Sequence, residues 1–88
     1  MYLHLGNDTV VRKNEILAVF DLDITSQSIQ TRGFLSAAEK AGQVVNAAGD
    51  EIPKSFVVCV GADGQQTVYL SQLNSSTLLK RSENLGLE

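Results

Sequence analysis

The side chains in this sequence that could do covalent or metal chemistry are few: the thiol of Cys59, the imidazole of His4, and the carboxylates of Asp21 and Asp23. A cysteine nucleophile needs a nearby base to make thiolate, and His4, the only histidine, lies far from Cys59 along the chain. One His and one Cys do not complete a protein-only zinc site within one subunit. Asp21 and Asp23 have the spacing of a carboxylate pair that could ligate a metal or exchange protons. They sit in a polar stretch, Asp21 to Ser28, where a solvated loop explains them as well. Cys59 reads as a small core residue, and His4, alternating with Tyr2, Leu3 and Leu5, as part of a strand. None of the compact phosphate-loop, metalloprotease or hydrolase signatures is present. We therefore assign no catalytic residue, no cofactor and no metal ligand, and do not read the chain as an enzyme.

The charge balance points the same way. Seven Lys and Arg stand against ten Asp and Glu, a net charge of −3. Affinity for phosphate comes from local positive charge and counterion release, so this average is poor for nucleic-acid binding, although an average hides a patch.

The elements that must position these groups are organised around Pro53 to Leu70. Two β-rich runs there are separated by Gly61, Ala62, Asp63 and Gly64, and Asp-Gly supplies the positive φ that lets a chain reverse tightly. Phe56, Val58 and Val60 point to one face and Val57, Cys59 and Gly61 to the other, so this strand is apolar on both sides and belongs inside a sheet. The second run, with Val68 and Leu70 on one side and Thr67, Tyr69 and Ser71 on the other, reads as nearer an edge. Tyr2 to Leu5 is a strand, Gly6-Asn7-Asp8 a turn, Thr9-Val10-Val11 a short returning strand, and Ile16 to Phe20 a buried strand. Phe34, Leu35, Ala38 and Ala41 recur at helical spacing, which predicts the main helix from Ser28 to Ala41, capped by Thr25, Ser26 or Ser28 and stopped by Gly42. Gly33 inside it marks either a close backbone approach or a weak helix. Gln43 to Asn46 reads as a short strand, and Asn74 or Ser75 caps a short helix through Thr77 to Arg81. The fold class is α+β: a small single domain over residues 1–82, mostly antiparallel sheet with one main helix and a short C-terminal helix, then a frayed tail, 83–88. The expected core is Leu17, Val19, Phe34, Leu35, Ala38, Phe56, Val58 and Val68. No apolar run approaches the ~20 residues that span a bilayer, and the start lacks the features of a secretory signal. A lone cysteine agrees with a reducing compartment, so a cytoplasmic location with no membrane partner is expected.

Across these elements the chain resembles the RemA/RemB-like family of bacterial extracellular-matrix regulators. The resemblance rests on Tyr2-Leu3-His4-Leu5-Gly6, Val10-Val11, Ile16-Leu17-Ala18-Val19-Phe20-Asp21, Pro53-Lys54-Ser55-Phe56-Val57-Val58, Tyr69-Leu70-Ser71 and Ser75-Ser76-Thr77-Leu78-Leu79-Lys80-Arg81. The His-Leu-Gly opening, the Pro-Lys-Ser strand start and the Ser-Ser-Thr-Leu ending look closest to the RemB branch. The resemblance implies a small domain that assembles into rings and, in the RemA branch, activates biofilm-matrix genes by binding DNA. A ring repeats one basic face and so sums many weak phosphate contacts.

The RemA-branch pattern has an arginine after the asparagine that precedes the third strand, and an arginine pair after the glycine before the central strand. The matching positions here are Glu15, after Asn14, and Asp50-Glu51, after Gly49, which replace attraction by repulsion. What remains beside them is Arg12, Lys13 and Lys54, the candidate nucleic-acid-binding set; Lys80 and Arg81 form a second group that also suits a helix C-terminus. The resemblance thus implies a small homo-oligomeric regulatory protein that contacts DNA directly or through a partner; the RemA-branch DNA contacts do not carry over to this sequence, and Arg12, Lys13 and Lys54 are the residues left to meet duplex DNA directly. The alternative is an oligomer of the same fold that binds no DNA and engages a protein partner, with subunits pairing through the strand near Thr67 to Ser71 or the early strands.

Overall fold

The computed structural model describes residues 2–6, 8–22 and 29–86. The strands are β1 (Tyr2–Gly6), β2 (Thr9–Arg12), β3 (Ile16–Asp21), β4 (Val44–Asn46), β5 (Ser55–Val60) and β6 (Gln66–Ser71), with a 3-10 turn, Lys13–Glu15, between β2 and β3. The helices are α1 (Ile29–Lys40) and α2 (Ser75–Gly86). Asp23 and the expected caps Thr25, Ser26 and Ser28 lie outside the described residues. β1 and β2 form a separate antiparallel hairpin, and the other strands form one sheet in the order β3-β5-β6-β4. The expected α+β class is what the structure has.

Three layers follow from the double-sided pattern of β5. Phe56 and Val58 face α1, where Ala38, Val68 and the partly buried Leu22, Leu35, Val44 and Leu70 complete one core. Val57 and Cys59 face the opposite way, into a second core of Leu3, Leu5, Val11, Ala47 and Leu78. The β1–β2 hairpin and α2 cover that face because each is apolar on one side: Leu3, Leu5 and Val11 point in while Tyr2, His4, Val10 and Arg12 stay exposed. A strand between two cores must be apolar on both faces, and β5 is buried from Ser55 through Cys59.

Local signals fix the element ends. Gly42, at φ +72°, donates to the Glu39 carbonyl while the Gln43 amide donates to the Ala38 carbonyl, so the last carbonyls of α1 are satisfied by a Schellman motif. Asn74 caps α2, its Oδ1 accepting from the Thr77 amide at 2.8 Å. Gly64 takes φ +82° in the β5–β6 turn, and Asp63 Oδ1 accepts from the Gln65 amide at 3.0 Å. A Cβ on Gly33 would meet nothing within 4 Å, so this glycine weakens the helix without admitting a close neighbour.

Four expectations are corrected. β6 is not near an edge: β4 pairs with it in parallel, Val44 opposite Val68 and Asn46 opposite Leu70, which makes β6 an inner strand and leaves Thr67 to Ser71 no free side for pairing across subunits. Ile16 to Phe20 is not a buried strand: β3 is an edge of the sheet and has no buried residue, and Leu17 is 67% exposed rather than in the core. The β3–β5 register shifts between Ile16 and Ala18, so Leu17 is the extra residue of a bulge and leaves the alternation that would have buried it. Phe34 lies at the rim of the α1 core, 36% exposed, while its ring still sits 6.3 Å from that of Phe56.

Two fully buried serines join the layers. Ser71 Oγ donates to the Leu5 carbonyl at 2.7 Å and accepts from the Leu73 amide at 3.1 Å; its cross-strand partner Ser55 donates to the Leu73 carbonyl at 2.6 Å. Ser71→Ala removes a partner from a carbonyl and an amide at once. It is expected to cost about 1–3 kcal/mol, read as a lower urea midpoint at unchanged m-value; a midpoint shift of nothing would mean that the hairpin does not depend on this link.

Candidate nucleic-acid interface

The hairpin register places Tyr2 directly opposite Arg12 on its exposed face. The chain then turns through Lys13–Glu15 before entering β3. The result is a cleft of about 640 Å³ lined, among the described residues, by Tyr2, Arg12, Lys13 and Asn14. Among the described residues, neither Arg12 nor Lys13 is tied up in an ion pair, so both charges are available to an anion. Arg12 and Asn14 are exposed and Lys13 is half-buried.

Glu15 follows Asn14 in sequence but its side chain goes elsewhere. Its Oε2 lies 3.8 Å from where a Cβ on Gly61 would be, beside the Asp63 carboxylate at the β5–β6 turn. Its charge is felt there: burial, with Glu15 adding to it, pushes the Cys59 thiol up to about 11. Burial likewise raises Tyr69, with Cys59 and then Glu15 as smaller causes. The acid that stands where the RemA pattern has an arginine is thus turned away from the basic cleft.

Lys54 does not join Arg12 and Lys13. Ile16 pairs with Cys59 and Asp21 with Ser55, so the turn carrying Lys13 sits at one end of β5 and Lys54 at the other, about 17 Å away along the strand at ~3.3 Å per residue. Lys54 is held by its backbone, its amide donating to the Ser71 carbonyl and its carbonyl accepting from Leu22. Exposed Asp50 and Glu51 lie on the connection that leads into it. Within one subunit, then, the cations divide: Arg12 and Lys13 share a cleft, whereas Lys54 sits at the acidic end. Lys80 and Arg81 are exposed on α2 and line no part of the cleft.

Tyr2 and Asn14 are the members that sequence reading missed. The signal was present in the alternation of Tyr2 and His4 against Leu3 and Leu5, which sets Tyr2 outward, but its juxtaposition with Arg12 needs the hairpin register. His4 faces outward opposite Val10. Among the described residues no three His, Cys, Asp or Glu side chains gather where they could hold a metal ion, and no helix is long and apolar enough to cross a membrane.

Cys59 is buried, and its elevated pKa gives a testable pH dependence. A proton held more tightly in the folded state contributes stability that is intact below the ordinary thiol value of 9.0 and is lost as pH rises toward about 11. The native thiol is therefore expected to be inert to Ellman's reagent at pH 8 until urea unfolds the chain. The urea midpoint should fall between pH 9 and 11, by less in Cys59→Ala. Rapid labelling of folded protein at pH 8 would contradict the placement.

Comparison with known proteins covers nearly the whole chain. Residues 2–81 match the family model of RemA-like proteins, described as extracellular matrix regulatory protein A-like. The chain is also similar to extracellular matrix regulatory protein B of Bacillus subtilis (strain 168), at 37% identity over 83 residues, covering 94% of this chain and 91% of that protein.

Proposed function

The chain belongs to the RemA-like family of extracellular matrix regulatory proteins, and on that premise we propose that it is a cytoplasmic homo-oligomer that regulates matrix genes by meeting duplex DNA through repeated copies of the Tyr2–Arg12–Lys13–Asn14 cleft. The observation that carries this reading is the separation of charge. The acids that replace the family's arginines are either turned toward Gly61, as Glu15 is, or placed with Asp50 and Glu51 at the far end of the sheet. Among the described residues, the opening that Arg12 and Lys13 line holds no acid. One such opening supplies few phosphate contacts, and several copies on one assembly add theirs without further contacts per subunit.

Assembly is supported by what the two edges of the sheet expose. β3 carries Leu17, 67% exposed, together with Phe20. On β4, Val45 is exposed, and on the connection from β4 to β5, Ile52 is 84% exposed. Large apolar side chains left exposed on both edge strands of so small a domain would gain from burial against another subunit. The two edges differ, and β3 and β4 run in the same direction through the sheet, so pairing β3 of one copy with β4 of the next would be a head-to-tail contact, the kind that closes into rings when its rotation permits.

A second reading has its own support in the net charge of −3 and in Asp50 and Glu51: an assembled protein that binds no DNA and docks a protein partner. Fluorescent duplex DNA titrated at low salt, with the assembly mass recorded by light scattering on the same sample, separates the two. Binding by an oligomer that weakens steeply as salt rises supports the first; an oligomer that leaves DNA free at the lowest salt supports the second, and a monomer that binds nothing defeats both.

A further inference from the structure

The cleft holds more than a phosphate contact needs. At about 640 Å³ it falls within the range of roughly 300–1,000 Å³ typical of small-molecule sites. One wall is Tyr2, 56% exposed; its hydroxyl can donate to a duplex phosphate, but its ring face is left without a use there, because the backbone of a duplex presents no base face to stack on. An exposed aromatic ring beside two cations is instead the pairing that unpaired nucleotides use: a base stacks on the ring while the cations take the phosphate. Asn14 completes the set, since its amide offers both donors and an acceptor to a base edge or sugar.

We propose that the cleft formed by Tyr2, Arg12, Lys13 and Asn14 is a subsite for a nucleoside monophosphate, its base stacked on Tyr2 and its phosphate held between Arg12 and Lys13. The proposal rests on the reading that this cleft meets phosphate, and it adds that the occupant is an unpaired nucleotide, so that duplex DNA and nucleotide compete for the same cations. The shared chemistry comes from two sources, a free mononucleotide or a nucleotide within a single strand.

The test uses the full chain and four probes in calorimetric titrations at low salt: AMP, adenosine, inorganic phosphate and a short oligo-dA strand. Duplex affinity is measured on the same proteins. AMP is expected to bind at least about tenfold tighter than phosphate or adenosine, and Tyr2→Ala to weaken AMP about tenfold while Tyr2→Phe keeps it, as base stacking requires. Arg12→Ala should weaken both AMP and duplex. Tighter binding of oligo-dA per nucleotide identifies a strand as the source, and tighter binding of AMP identifies the free nucleotide; either supports the subsite. AMP binding no tighter than phosphate, or unchanged by Tyr2→Ala, overturns it. If that happens while the duplex still binds through Arg12, the proposal alone fails; if neither phosphate nor duplex binds, the functional reading fails with it. Because Tyr2 is exposed, circular dichroism and melting of its variants should match the parent protein, and a Tyr2→Phe variant that folds normally but loses AMP would also overturn stacking as the cause.

Discussion

Phe56→Ala is expected to destabilise the fold by about 3–5 kcal/mol, the range for truncating a fully buried aromatic ring. Phe56 is 2% exposed and stacks on Phe20 with ring centroids 4.9 Å apart. It sits on the central strand, in the core that α1 covers. Its loss leaves a cavity that Ala38, Val58 and Val68 are too short to fill. A domain of this length has a total stability of only about 4–13 kcal/mol at the usual 0.05–0.15 kcal/mol per residue, so the variant should be marginal or unfolded at 37 °C. Thermal melting at matched protein concentration is the check, because assembly makes the midpoint depend on concentration. Phe56→Leu, which keeps most of the volume, should recover much of the loss. A Phe56→Ala variant that melts within a few degrees of the parent would place the core elsewhere.

The second large effect concerns function. Arg12→Ala combined with Lys13→Ala is expected to weaken duplex DNA by about 100-fold or more, since each charged hydrogen bond contributes about 1.5–3 kcal/mol and the loss repeats at every engaged subunit. Lys54→Ala, at the other end of β5, should change affinity far less. Neither Arg12 nor Lys13 belongs to the buried cores, so the double variant should melt and assemble like the parent. Equal losses from Lys54→Ala and the double variant would contradict the division of cations by the sheet.

Much of the fold was legible in the residues. The double-sided apolar run from Phe56 to Cys59 announced an inner strand, Asp63-Gly64 announced its turn, and Gly42 and Asn74 marked helix ends through the backbone groups they satisfy. What was not legible depends on pairing between distant segments. Whether the short strand Val44–Asn46 joins the sheet beside β6 or elsewhere is decided by how α1 crosses over it, and that choice turned β6 from an edge strand into an inner one. Leu17 looked buried because Ile16 to Phe20 is a continuous apolar run that reads as a buried strand, whereas β3 lies at the sheet edge and the bulge that expels Leu17 is a property of the β3–β5 register. The same register separates Lys54 from Arg12 and Lys13. Tyr2 entered the site only when the β1–β2 register set it opposite Arg12. Residue types were readable; which of them share a face was fixed by register.

The account's central claim is that an assembly presents the Arg12–Lys13 cleft to duplex phosphates, and its most direct test is the slope of log affinity against log salt for the parent and the Arg12→Ala, Lys13→Ala variant. The parent is expected to show a steep negative slope, about 0.9 per phosphate neutralised, with light scattering showing an oligomer throughout; the variant should lose most of that slope with its assembly mass unchanged. A parent that assembles yet shows no salt-dependent affinity, or a variant whose slope equals the parent's, would contradict the claim.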